Sequence, residues 1–222
     1  MSHPRHRETE PGAIRVWDLP TRAFHWTLVV LIAAAFVTIY SGAIEWHFRI
    51  GYAVIALLLF RILWGFAGPR YARFASFTPS PSAVLAHLRK PHAPQAGHSP
   101  VGALSVYAML LALLAQALLG LFANDGSFSE GPWARFVAGA TSDLLTRLHK
   151  WNQWLIAGLV GLHLAAIVYY LLRKHDNLVP PMVHGRRRGV IAEPTHDDAR
   201  TRLGALVFLA LSAGLVAYLV KL

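Results

Sequence analysis

The sequence contains no cysteine. That excludes disulfides, cysteine-ligated iron–sulfur clusters and covalently attached haem, which needs a Cys-x-x-Cys-His run. Charge is scarce as well. Asp, Glu, Lys and Arg make up 14% of the 222 residues, against about 25% in a soluble domain. So little charge cannot cover a surface that faces water all round. Acidic residues are the scarcer sign, 11 against 21 Lys and Arg, which leaves a net charge of +10. What is plentiful is apolar bulk: 55% of the residues, with mean hydropathy +0.42. Apolar runs ending in basic residues are the profile of an integral membrane protein. Membrane lipid is therefore the expected surrounding, and no nucleic acid partner is expected. Twelve histidines in such a chain need an explanation.

A bilayer-crossing helix takes about 20 mostly apolar residues. Five windows meet this: 24–41, 47–67, 101–123, 149–172 and 203–220. The segment before the first window is long and mixed in charge, and no small-residue cleavage site follows it, so the first span is expected to be retained. Lys and Arg collect on the cytoplasmic side of membrane proteins. With the N-terminus inside, sixteen of the 21 basic residues fall on that side: Arg5, Arg7, Arg15, Arg22, Arg61, Arg70, Arg73, Arg89, Lys90, Arg173, Lys174, Arg186, Arg187, Arg188, Arg200 and Arg202. Five spans then place the C-terminus outside. Residues 68–100 carry Pro-rich strings and read as loop. Residues 124–148 include an amphipathic stretch expected to lie on the outer interface, and 174–202 read as a basic linker. The seven Trp fall near span ends, as an aromatic belt does.

His3, His6, His87, His92, His98, His175, His184 and His196 fall in loops or the N-terminal tail and read as solvated surface. His25, His47, His149 and His163 lie in or at the ends of apolar spans, where an ionisable group is costly and points to function. His163 follows His149 by fourteen residues, about 21 Å along a helix and on the same face. The four resolve into two levels, His47 with His149 outside and His25 with His163 inside. Two histidines at each level suit two bis-histidine haems stacked across the membrane. A neutral imidazole nitrogen binds haem iron, and two of them leave no open position, so the iron carries single electrons.

Neighbouring residues fit this reading. Gly51 lies one turn after His47 and leaves room for a flat macrocycle, and Gly158 and Gly161 flank the approach to His163, although small residues also serve helix packing. Arg22 beside His25, and Arg49 and Lys150 beside the outer pair, are candidates to neutralise haem propionates or simply to snorkel. A metal transporter is the main competitor, since imidazole suits zinc, copper and nickel. It would want ligands converging on one site, often with carboxylates. The span interiors hold no Asp or Glu, which also argues against a proton pump. Arg61 in the second span is expected to snorkel to the cytoplasmic end.

The strings VWDLPTRAFHW (16–26), HFRIGY (47–52), LHKWNQW (148–154) and GLHLAAI (161–167) resemble the bacterial cytochrome b561 family, which includes the cytochrome b subunits of nickel–iron hydrogenases. KHDNLVPPMVHGRRR (174–188) resembles the tail of its four-helix core. The resemblance implies an all-α, up-down four-helix transmembrane bundle over residues 1–188, holding two haem b with His25, His163, His47 and His149 as ligands and no catalytic work in the third span. Residues 189–222 then add a basic linker and an extra fifth transmembrane helix, with no histidine in the helix itself. The resemblance also implies electron transfer across the bacterial inner membrane, between the quinone pool and a periplasmic c-type cytochrome, hydrogenase or other redox subunit. One branch resembles a stand-alone superoxide:quinone oxidoreductase. A haem-free scaffold or metal transporter is the third class. The arginines around the inner pair are expected to make that haem the easier to reduce.

Overall fold

A computed structural model describes residues 12–89, 95–126 and 129–221. His3, His6, His92, Arg5, Arg7 and Lys90, assigned above to the surface or the basic side, lie outside the described residues. In chain order the helices are α1 (Leu19–Tyr40), α2 (Ile44–Ala67), α3 (Pro81–Arg89), α4 (Pro100–Leu121), α5 (Gly139–Arg173), α6 (Val179–His184) and α7 (Ala199–Leu219). Helices α1, α2, α4, α5 and α7 are long and apolar enough to cross a bilayer, and the protein is a multi-pass membrane bundle.

The three helices that rise from the basic end each start on a polar cap. The Asp18 carboxylate accepts from the Thr21 amide at 2.8 Å, Ser99 accepts from Gly102 at 3.1 Å, and Asp198 accepts from Thr201 at 2.8 Å. Such caps satisfy amides that a helix start leaves unpaired. Pro20 and Pro100 sit in first turns, where no amide is needed. At the other end, α1 turns into α2 through Ser41, Gly42 and Ala43 alone. Gly42 takes φ +74°, a conformation that costs glycine little. So short a link makes α1 and α2 antiparallel neighbours.

Helix α2 is central. Its Val54, Leu57, Leu58, Phe60 and Trp64 are buried against Phe24 and Leu28 of α1, Ala112 and Leu113 of α4 and Ala205 of α7. Helix α5 packs along α4 and makes little close approach to α1 or α2. It is 35 residues long, about 52 Å at 1.5 Å per residue, well beyond a hydrocarbon core of about 30 Å.

Several expectations need correction. Residues 139–148 are not a separate interfacial stretch but the first turns of α5. Polar side chains hold them to the loop after α4: Thr146 Oγ1 accepts from the Asn124 amide at 2.9 Å, and Ser142 Oγ donates to the Phe122 carbonyl at 2.6 Å. The 68–100 connection is not simply loop. It forms two short 3-10 turns (Arg70–Ala72 and Phe74–Ser76) and then α3, which the proline at its first position allows to start.

Nor is 174–198 a plain linker. Strand β1 (Ile14–Arg15) pairs antiparallel with β2 (Arg186–Arg187), in register Ile14 with Arg187 and Arg15 with Arg186. The Thr195 amide donates to the Arg15 carbonyl at 2.8 Å, and the Asp197 carboxylate pairs with both Arg15 and Arg202. The basic end is thus closed by an ordered cap. Arg61 does not snorkel to water. It is 3% exposed, donates to the Ala72 carbonyl at 3.1 Å and lies over the Phe74 ring. Trp26, Trp46, Trp151 and Trp154 are exposed as a belt requires. Trp17 and Trp64 are buried, and Trp133 donates inward to the Leu219 carbonyl at 3.0 Å.

Candidate functional site

The helices bring the four intramembrane histidines together two by two. His25 of α1 faces His163 of α5 with ring centroids 6.5 Å apart. His47 of α2 faces His149 of α5 at 6.3 Å. An imidazole nitrogen sits about 2.0 Å from a bound metal, with the ring centre roughly 1 Å behind it, so two rings on opposite sides of one ion have centres about 6 Å apart. Both pairs match that spacing.

Local hydrogen bonds set the outer rings. His47 Nδ1 lies 3.0 Å from the Ala35 carbonyl, and His149 Nδ1 lies 2.9 Å from the Gln116 carbonyl. A carbonyl only accepts, so each Nδ1 carries the proton and each Nε2 keeps its lone pair. This is the arrangement by which a protein orients a ligating imidazole. At the inner level the His25 Nδ1 is buried without a hydrogen-bond partner among the described residues, and Trp26 presents its ring edge-on to His25 at 5.0 Å.

Space lies where the helices stay apart. A Cβ added to Gly51, Gly158 or Gly161 would meet nothing within 4 Å. Gly120 differs: a Cβ there would come within 3.0 Å of the His149 ring. The basic residues are placed less simply. Arg22 is turned into the cap, where it donates to the Val183 carbonyl. Arg49 lies over the Trp46 ring at 5.2 Å, and Lys150 is exposed next to His149. Among the described residues no three of His, Asp and Glu converge as a single metal site would require.

His98 is not solvated surface. Its ring packs between Trp17 and Phe77, with centroids 4.8 and 4.6 Å away, and Nδ1 is buried without a hydrogen-bond partner among the described residues. Desolvation, reinforced by the nearby Arg61 charge, pushes its pKa down to about 3, so the ring stays neutral. His87 is half-buried too, with Nε2 3.4 Å from the Tyr170 hydroxyl. Residues that matter and escaped the sequence reading are Gln116 of α4, Asn152 of α5 and Gly120, all against His149 or one step from it. The first two are amides inside apolar helices, so the depth argument that selected the histidines applies to them also.

Five membrane helices with paired imidazoles at two depths define a class, the multi-pass membrane haem proteins. The family model for prokaryotic cytochrome b561 matches residues 16–185, and the chain belongs to that family. It is a membrane b-type cytochrome, an electron-transfer protein whose cofactor is haem b. Among its relatives is a probable Ni/Fe-hydrogenase 1 B-type cytochrome subunit of Escherichia coli (strain K12). That protein is 24% identical over 211 residues, covering 78% of this chain and 89% of the relative. A probable Ni/Fe-hydrogenase B-type cytochrome subunit of Azotobacter chroococcum mcd 1 is 23% identical over 212 residues, covering 79% and 88%. No solved structure matches the chain.

Proposed function

We propose that this protein is a dihaem cytochrome that passes electrons across the bacterial inner membrane, between quinone or quinol and a redox partner on the outer side. His25 and His163 hold the inner haem, and His47 and His149 the outer one. The observation that carries this reading is the 6.3–6.5 Å spacing in both pairs. Bound haem supplies one-electron chemistry with a potential set by its surroundings. The chain's own residues do the rest. His47 and His149 present Nε2 while backbone carbonyls hold their Nδ1 protons. The apolar faces of α1, α2 and α5 exclude water from the path between levels. Arg22, Arg49, Lys150 and Gly51 are retained as residues of the two haem sites, with the outer two cations exposed for propionates or for a docking partner.

The basic end, with the cap and the N-terminus, faces the cytoplasm, and the C-terminus faces the periplasm. Residues 1–188 form the haem-holding unit, a limit supported by the family match ending at 185. Residues 189–222 add the basic connection and α7. Because relatives are named as hydrogenase subunits, the outer partner is a hydrogenase-like subunit or a periplasmic c-type cytochrome. A second reading, a stand-alone superoxide:quinone oxidoreductase, draws on the exposed Arg49 and Lys150 beside the outer pair, which would attract a small anion.

The test uses the purified haem-loaded chain in lipid vesicles with a short-chain quinol. The first reading expects the quinol to reduce the haems and an added c-type cytochrome to reoxidise them. Superoxide-dependent quinone reduction by the chain alone would favour the second. Haems that respond only to dithionite would contradict both.

A further inference from the structure

Helix α4 carries none of the four histidines, yet it makes the closest polar contacts to one of them. The Gln116 carbonyl accepts from His149 Nδ1 at 2.9 Å, and the Gln116 side-chain Nε2 lies 3.2 Å from His149 Nε2. Since Nδ1 is the protonated nitrogen, Nε2 accepts and the amide N–H donates. Asn152, three residues beyond His149 on α5, completes the arrangement. Its Nδ2 donates to Gln116 Oε1 at 2.8 Å and to the Ala112 carbonyl at 2.9 Å. One face of the His149 site is therefore a chain of amides running Asn152 to Gln116 to His149. Gly120, one turn beyond Gln116, leaves room for the ring.

Within an apolar bundle a primary amide is tolerated only when its groups are paired, and here the Gln116 bonds lead to one imidazole while Asn152 also ties α5 to the Ala112 carbonyl of α4. Among the described residues the inner pair has no counterpart, and the His25 Nδ1 has no hydrogen-bond partner there. The outer rings stand almost perpendicular, at 89°, while the inner rings are at 56°.

We propose that Gln116 and Asn152 are positioning residues for the outer haem site: the Gln116 backbone carbonyl fixes the tautomer and ring plane of His149, crossed against the ring of His47, and the Asn152–Gln116 bond fixes where that carbonyl lies. The Gln116 side-chain amide occupies the Nε2 lone pair that a metal would take, so it holds the ring in its ligating tautomer and gives way when the metal binds. Asn152 locks the rotation of α5 against α4 from which His149 projects. Helix α4 is thereby part of the outer site. This rests on the reading of His47 and His149 as ligands.

The test compares wild type with Gln116→Met and Asn152→Leu, which keep side-chain volume but remove the amides. The partner of the second ring nitrogen of a metal-ligating histidine contributes about 10–100-fold to affinity; both variants keep the Gln116 carbonyl but break the Asn152–Gln116 bond that holds it, so each is expected to lose outer haem selectively on dilution or competition with apomyoglobin. The ferric low-spin resonance of the outer pair, whose crossed planes make it strongly anisotropic, should shift, while the inner resonance and inner occupancy stay as in wild type. Unchanged outer resonance and retention in both variants would overturn the proposal. Equal loss of both haems would overturn it too, because that marks a general packing role. A separate control addresses the reading beneath it: if His47→Ala leaves the wild-type outer resonance intact, the ligand assignment itself fails.

Discussion

At the scale of single residues, the fold spends its few polar side chains on precise local tasks. Asp18 is 1% exposed, accepts two bonds from Thr21 and receives the Trp64 indole N–H at 3.3 Å. Removing such a cap costs about 0.5–2 kcal/mol, and here it also orphans a buried indole. Asp18→Ala should therefore sit at the upper end of that range, read as a lower thermal midpoint in detergent with haem content preserved. Gly120 and Gly204 offer a matched comparison. Gly120→Ala pushes a methyl to 3.0 Å from the His149 ring, whereas Gly204→Ala, on α7, enters open space. The first should weaken outer-haem retention selectively and the second should leave it unchanged, as measured by haem transfer to apomyoglobin. Equal behaviour of the two would contradict the placement of His149 against α4. The four histidines were legible in the sequence because charge-capable groups are rare at membrane depth, and the helical rise sorts them into levels. Gln116 and Asn152 were not, because an isolated amide in an apolar run looks like a tolerated interruption until its partners are seen.

At the scale of elements, the five spans were legible and their ends less so. Helix α5 extends ten residues before His149, where the sequence is polar and periodicity carries no apolar signal. Only its bonds from Ser142 and Thr146 to the preceding loop reveal that it continues. The cap at the basic end was invisible for another reason: β1 and β2 are two residues each and some 170 residues apart, too short and too distant for any pattern. Its keystone is Asp197. Desolvation disfavours its charge, but hydrogen bonds from Arg202 and the Leu19 amide, with the Arg202 and Arg15 charges, outweigh this and hold the carboxyl below its ordinary 3.8. A carboxyl with a depressed folded pKa stabilises most above its unfolded value, and that contribution disappears as pH falls through the folded one. The cap should thus be fully held above pH 3.8 and loosen only below it, with Asp197→Asn loosened at neutral pH. Hydrogen exchange of residues 186–197 reads this directly; a cap that loosens as pH rises would contradict the ion-pair account.

At the scale of the whole molecule, α2 is the packing centre while the histidines lie towards the side where α5 stands off from α1 and α2. Helix α7 packs along α2. In lipid, an exposed apolar helix face is covered by acyl chains at little cost. A chain ending at residue 188 should therefore keep its haem content but show a lower thermal midpoint, since Ala205 and Phe208 no longer pack on α2. Loss of haem on that truncation would move α7 into the haem-holding unit.

The account's central claim is that the two imidazole pairs each hold one haem. The direct measurement is haem per chain in wild type and in His25→Ala, His163→Ala, His47→Ala and His149→Ala, with a redox titration of each. Two haems in wild type are expected, with one lost in every variant: the same one for His25 and His163, and the other for His47 and His149. A wild-type chain with one haem, or variants whose losses do not fall into those pairs, would contradict it.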